Sequence, residues 1–564
     1  MKLVLERPQV EAMVQAFPHL APLSEQLRLG NRVEAPLSRF GQAELAFLRD
    51  LYAGLGDPGH AARAGRIDAV RQALADAGHR YSGEDLEPLV PAMARYLAEG
   101  ARRGWLFSSP LSAKPQAWVV TRLDYTPASS EETGRVLVEL KANARGRLAS
   151  ATLMFVAKDI EGRTVPEMFA AKGYLKETPE LIAAYDEAAE RFFDWRARHG
   201  AQFSGRGVGI YAENPAATHR DTDWSRKDVV VLSSSGGEAR LVNDEAILSD
   251  RALGLDAPGD ILGTYLRRAG KSLRYKADEA TEKLRDEMTP GLFTQLPVHF
   301  YILLFHLDLH HYVWVHVDDL QPYQYQPQLK GKLVLPEDQT DLIDILTAEM
   351  DVLMDDIVAG KSGGTTVLCA GPPGVGKTLT AEVYAEIIRR PLYRVHSGQL
   401  GLNVAAMETT LKDVLTRAQR WGAVMLIDEA DVYIKRRDDD IAMNAVVGVF
   451  LRVLEYFNGL LFLTTNRVDD IDEAIVSRCI ALIKYSPPDD EARRRIWQVM
   501  AGQFELDLDA PLVEELVNLF PTASGRDIKG LAKLVAKYCR QKRTPPDLEA
   551  FRRCAMFRAL DLHH

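Results

Sequence analysis

Eight residues constrain this chain more than any others. GPPGVGKT occupies 371–378 and fits the pattern GxxxxGK[ST]. It stands between an apolar run, TTVLCA, and a stretch with helical spacing. That is the strand-to-helix setting in which such a loop binds phosphate. Gly371, Gly374 and Gly376 let the main chain wrap closely around an anion. Its amides then point inward at the positive end of a helix. Lys377 is spaced to reach the β- and γ-phosphates of a nucleotide, and Thr378 to ligate Mg²⁺. Pro372, Pro373, Val375 and Leu379 complete the expected nucleotide-binding run.

The pattern downstream of this loop is regular. Strands PLYRVH, AVMLIDE, LLFLTTN and ALIKYS alternate with helical stretches, as an α/β sheet requires. AVMLIDE ends in Asp428 and Glu429, two carboxylates at the C-terminal edge where parallel sheets bind ligands. Asp428 is expected to orient the Mg²⁺ shell and Glu429 to polarise the attacking water. Asn466 ends LLFLTTN, where a neutral amide positions water without adding charge repulsion. Arg478 and Arg526 are the two candidate cations: the first for a neighbouring subunit's phosphates, the second for this chain's own, from the lid side.

The other residues carry no comparable motif. The chain has 564 residues and a net charge of −10, which disfavours a surface that grips nucleic acid throughout. Residues 351–564 hold 28 basic and 30 acidic residues, so that part is not a basic body either. Four scattered cysteines form no CxxC pair, which argues against zinc and against a disulfide framework. Charges interrupt the N-terminal MKLVLERPQVEAM, and His306, Asp308, His310, His311 and His316 interrupt the apolar run Val298–Val317. Neither reads as a leader or a membrane span, so a cytoplasmic protein with no membrane partner is expected. The pattern suggests a helical region over 1–112, an α+β middle domain over 113–330 and a linker over 331–360. An α/β domain over 361–487 and a helical lid over 488–564 follow.

Taken together, the motifs at 361–540 resemble an AAA+ ATPase, a P-loop NTPase family. In that family's terms GPPGVGKT is Walker A, 425–429 is Walker B and Asn466 is sensor 1, with Arg478 the arginine finger and Arg526 sensor 2. RWGAVMLIDEADVYIKRR, VFLRVLEYFNGLLFLTTNRVDDIDEAIVSR and LVLPEDQTDLI are similar to a group of mostly fungal AAA-type ATPases with a long N-terminal region. The resemblance implies a five-stranded parallel sheet, a C-terminal helical lid, and ATP with Mg²⁺ as cofactors. It also implies a homo-oligomeric ring, usually a hexamer, with ATP at each subunit interface. The expected activity is ATP hydrolysis coupled to remodelling of a macromolecule, most simply a protein client held by residues 1–330. A DNA-associated AAA+ switch and an assembly scaffold with little turnover are the alternatives.

Two departures bear on mechanism. Threading members of the family set an aromatic residue beside glycine in the central pore loop. Here SGQLGLNVAAME (397–408) has Leu400-Gly401-Leu402 and no aromatic to grip a polypeptide. The arginine-finger segment has the single Arg478 where many relatives have two. Asp428-Glu429-Ala430-Asp431 spells a helicase box, but no second RecA-like domain follows.

Other signals are read as structural. His310, Tyr312, Trp314 and His316 are expected to share one half-exposed strand face, and Ser204–Gly209 to form a loop. The basic residues of the last forty read as a solvated helix face, and Arg436–Asp440 as an exposed loop near the ring centre.

Overall fold

The computed structural model describes residues 2–213, 229–232, 237–248, 291–348, 364–436 and 440–558, with short breaks at 28–31, 57, 76–77, 112–113, 131 and 402. Leu402, Arg437, Asp438, Asp439 and residues 349–363 therefore lie outside the described residues.

The C-terminal α/β domain is built on five parallel strands: β1 (Thr365–Ala370), β2 (Leu392–His396), β3 (Val424–Asp428), β4 (Leu460–Thr465) and β5 (Ala481–Lys484). Their order across the sheet is β2-β3-β4-β1-β5, every pair parallel. Helices α1 (Lys377–Ile387), α2 (Val404–Trp421) and α3 (Ile441–Leu454) are among the connections. Coverage on both faces explains why β3 and β4 are apolar almost throughout. The parallel direction brings the C-terminal ends of β1, β3 and β4 side by side, with Ala370, Asp428 and Thr465 at one edge.

Four helices follow: α4 (Asp490–Phe504), α5 (Ala510–Leu519), α6 (Gly525–Lys542) and α7 (Leu548–Met556). Each starts at a side chain that accepts a backbone N–H of the first turn, from Asp489, Asp509, Ser524 and Asp547 respectively. They enclose their own core around Trp497, Leu531 and Phe551.

The segment expected to be a linker is part of the α/β domain over its described length. Leu333 and Ile343 are buried in the core beside α1 and β1. The Tyr384 hydroxyl of α1 donates to Asp344 at 2.9 Å. Within Glu337–Ala348, Ile343 packs into this core while Leu342 and Ile345 stay exposed.

Upstream, the expected division at residue 112 is not a division in the packing. One core runs from Leu3 to Ile182, joining Leu97, Trp105 and Val119. The N-terminal region is also not all helical. Lys2–Glu6 pairs antiparallel with Arg32–Pro36, burying Leu3, Leu5, Val33 and Ala35 at the two-residue period of a strand. A six-stranded sheet, antiparallel except where Val298–His299 joins it, completes this unit.

The rest of the middle region is a second, seven-stranded antiparallel sheet. The glycine-rich stretch sits inside it: Gln202–Gly205 and Val208–Ala212 are strands, with only Arg206 and Gly207 between them. Those two strands stand four places apart in the sheet order. A flat sheet would separate them by about 19 Å at ~4.8 Å per strand, beyond the reach of so short a link. The sheet is therefore rolled. Val313, Val315, Ile302 and Leu304 fill the inside. Leu303, Phe305 and Tyr312 face the other way, into the core of the α/β domain.

This corrects the expectation of a half-exposed strand face. His310 is in the turn with φ 55°, outside the strand His311–His316, and Tyr312 is buried. Among the described residues no three His, Cys, Asp or Glu side chains could hold a metal. No helix of the described residues is long and apolar enough to cross a membrane.

Burial of histidines in both sheets makes their stability depend on pH. Burial pushes His299 down to about 4 and His316 down to about 3. Geometry agrees for His316, whose Nδ1 accepts the backbone N–H of Asp318 at 3.2 Å and so is unprotonated there. The Asp318 carboxylate lies 3.4 Å away, yet burial, reinforced by the nearby Lys114 and Arg191, still favours the neutral ring. Neutral rings are favoured in the fold, so the contribution is complete above pH 6.5 and is lost as pH falls toward the folded values. Between pH 7 and 5 the two rings should remove about 4 kcal/mol of stability. Hydrogen exchange of residues 298–320, corrected for intrinsic rates, should show it; His299→Gln with His316→Gln should reduce the dependence, leaving the part due to His306, which burial also pushes down to about 4.

Candidate nucleotide-binding site

The C-terminal edge of the parallel sheet opens into a cavity of about 700 Å³ between the sheet, the lid and the rolled sheet. Pro373, Gly374, Val375, Gly376, Lys377, Thr378 and Leu379 line it. The loop needs its glycines for different reasons. Gly371 has φ +157°, and a Cβ there would lie 2.4 Å from the Tyr485 carbonyl oxygen. Gly374 has φ +85°, and a Cβ there would lie 2.6 Å from Ser524 Oγ at the start of α6. The Gly374 carbonyl accepts the Arg526 N–H at 3.2 Å, so the lid is seated directly on the loop.

Lys377 is buried, and burial lowers its pKa. Its ammonium donates to the carbonyls of Gly371 and Pro372, both at 2.7 Å, and to Asn466 Oδ1 at 3.0 Å. Residues 89 apart in sequence thus meet at one point, because β1 and β4 are neighbours.

Asp428 is held through both carboxylate oxygens. Oδ1 accepts from Thr378 Oγ1 at 2.9 Å and from Thr464 Oγ1 at 2.5 Å. Oδ2 accepts from Arg394 Nη2 at 2.6 Å. Burial pushes this carboxyl up, but the two threonine bonds and the guanidinium outweigh it and hold the pKa below the usual range. Thr378 and Asp428 offer neighbouring oxygens of the kind a hard cation prefers. Glu429 follows with φ 56° and ψ 50°, a left-handed conformation rare outside glycine. Its N–H is held by Thr464 Oγ1 at 3.0 Å, and its side chain is exposed to the cavity. A strained backbone that turns a carboxylate into a cleft is a common device at reactive sites.

Asn466 and Arg526 also line the cavity. Arg478 does not: it pairs with Glu455 and donates to the Ala474 carbonyl at 3.0 Å. Three contributors were missed in the sequence. Thr464 bridges Asp428 and Glu429, and Arg394 caps Asp428. Asp431 accepts the Asn466 N–H at 2.9 Å and so fixes that residue. Its place in the helicase-like string was visible, but its partner 35 residues away was not.

The pore-loop stretch and the basic lid also have definite settings. Leu400 is buried, and the Tyr433 hydroxyl lies within hydrogen-bond distance of the Ser397 and Gly401 carbonyls. Arg540, Arg553 and Arg558 pair with Glu505, Glu549 and Asp527, while Lys529 lines the cavity.

A glycine loop between a parallel strand and a helix, a lysine within it and paired acidic residues on a neighbouring strand define a P-loop nucleotide-binding protein. The family can be stated more closely. Residues 367–486 match the model of the ATPase family associated with various cellular activities (AAA), and the chain carries an AAA ATPase domain. The chain is 32% identical over 172 residues to a putative 26S proteasome regulatory subunit homolog of Methanothermobacter thermautotrophicus, covering 29% of this chain and 46% of that protein. It is 28% identical over 193 residues to Fidgetin-like protein 1 of Drosophila melanogaster, covering 32% and 37%. It thus spans less than half the length of either relative. A crystal structure of the FIGL-1 AAA domain aligns with 43% of this chain and 86% of that one at 18% identity and a TM-score of 0.34. ATP and Mg²⁺ are the cofactors of an AAA domain, and the residues described above fit both.

Proposed function

We propose that this chain hydrolyses ATP within a homo-oligomeric ring, most simply a hexamer, and uses the turnover to remodel a protein client held by residues 1–330. The observation that carries the reading is the convergence of Lys377, Asp428, Glu429 and Asn466 on one cavity edge. The main-chain amides of 371–378 and Lys377 bind and orient the phosphates. Thr378 and Asp428 hold Mg²⁺, which when bound neutralises charge on the β- and γ-phosphates. Glu429 takes up the proton of the attacking water, and Asn466 aligns that water. Arg526 reaches the phosphates from the lid. Arg478 serves the site of the adjoining subunit, which agrees with its position outside its own cavity.

The proteasome-regulatory name of one relative favours a protein client. The basic lid, with three of its arginines paired to carboxylates, gives a DNA-associated switch little support. The buried Leu400 argues against gripping a threaded chain by an aromatic at that loop.

Phosphate release from ATP by the full chain tests the reading. Arg478→Ala should abolish release while leaving nucleotide affinity unchanged in dilute, dissociated subunits. Mixing Arg478→Ala with Glu429→Gln should restore a fraction of the parental rate, because some interfaces then hold one intact copy of each residue. No recovery on mixing would mean that the sites are not shared.

A further inference from the structure

Arg394 caps Asp428 but has no role in the proposed reaction, yet it makes the closest ionic contact in the site. It lies on β2, where Tyr393 and Val395 turn into the core and Arg394 turns to the cavity. Its Nη2 is 2.6 Å from Asp428 Oδ2, and its Nη1 is 3.5 Å from Glu382 Oε1 on α1. Thr378 and Thr464 already occupy the other oxygen of Asp428. The carboxylate that is to face Mg²⁺ therefore has a permanent counter-ion of its own, since a guanidinium does not lose its proton in a protein.

We infer that Arg394 is a positioning residue that shares Asp428 with Mg²⁺, neutralising the carboxylate when the metal is absent and giving ground to it when the metal binds. The inference rests on the nucleotide-site reading above.

The physical argument has two sides. A buried carboxylate beside a triphosphate repels it unless a nearby cation offsets its charge. Arg394 supplies that cation, so the site should keep nucleotide even without metal. A charge-assisted arginine–carboxylate bond is also among the stronger hydrogen bonds in proteins. Metal that draws on the same charge must weaken it, so Arg394 should lower the gain from Mg²⁺. Glu382 offers the displaced guanidinium a second carboxylate within reach, so the exchange leaves Arg394 paired. Arg240 of the rolled sheet and Lys529 of the lid line the same cavity and act on Glu382.

Binding of a non-hydrolysable ATP analogue to the full chain, by calorimetry in Mg²⁺ and in EDTA, tests this. The quantity to compare is the ratio of the two dissociation constants. Arg394→Gln should raise the EDTA/Mg²⁺ ratio about tenfold, the equivalent of one charge-assisted bond, by weakening the metal-free arm and strengthening the metal arm. Arg394→Lys should stay near the parental ratio. Glu382→Gln should lower the ratio, because Arg394 then has only Asp428 to hold; this variant keeps the test open if Arg394→Gln does not fold. Asp428→Asn combined with Arg394→Gln should abolish the rise. If Arg394→Gln weakens both arms equally or changes neither, and Glu382→Gln leaves the ratio unaltered, the inference is wrong and Arg394 is only structural. If the parental chain binds no nucleotide in either condition, the site reading itself fails.

Discussion

Glu429→Gln is expected to cut ATP turnover by about 10²–10⁴-fold, the range for loss of a general base, with nucleotide affinity little changed. The separation follows from the geometry. The Glu429 side chain makes no hydrogen bond or ion pair with the described residues of the loop that cradles phosphate; its N–H is what ties it to Thr464. Glutamine keeps the size and the left-handed backbone and loses only the basicity. Phosphate-release rates beside calorimetric affinities measure the two effects separately. Loss of affinity in step with rate would instead assign Glu429 to binding. A chain stalled with ATP should also retain its client, so pull-down with this variant is the direct route to the client's identity.

Asp244→Ala is expected to cost about 3–5 kcal/mol, the penalty for breaking a buried ion pair from one side. Asp244 is fully buried between the rolled sheet and α2. Its carboxylate accepts from Arg420 Nε at 2.6 Å, from a second Arg420 nitrogen, and from the Tyr312 hydroxyl at 2.7 Å. Beside it Arg417 lies 4.6 Å over the Phe305 ring and donates to the Tyr393 hydroxyl at 2.7 Å. Alanine would leave Arg420 and Tyr312 without their shared acceptor. Urea unfolding should report the loss, and hydrogen exchange should rise together in 301–316 and 404–421, because the contact joins those two segments. Asp244→Asn, which keeps the shape but not the charge, should fall between. A rise confined to one segment would mean that the two bodies do not depend on this contact.

Much of the α/β domain was legible along the chain. A loop of three glycines ending in Lys377-Thr378 has one well-understood use, and strands covered on both faces announce themselves as unbroken apolar runs. The lid was legible too, as a mainly helical stretch over 488–564, and the structure caps its helices at Asp489, Asp509, Ser524 and Asp547. These features are local: glycine geometry, capping and periodicity act over a few residues, so they leave a trace in a short window of sequence.

What the sequence by itself determined is therefore the nucleotide cradle and its sheet: Gly371–Thr378, Asp428, Glu429 and Asn466 at one strand edge. Only the tertiary structure decided the rest. It joined residues 3–182 in one core, rolled the seven-stranded sheet, packed 333–343 into the α/β domain, and brought Arg394 to Asp428 and Asp244 to Arg420. Those contacts link residues 34 and 176 positions apart. Their partners are chosen by which strand lies beside which and by burial that leaves a charge no alternative, and neither condition is written in the residues adjacent to either end.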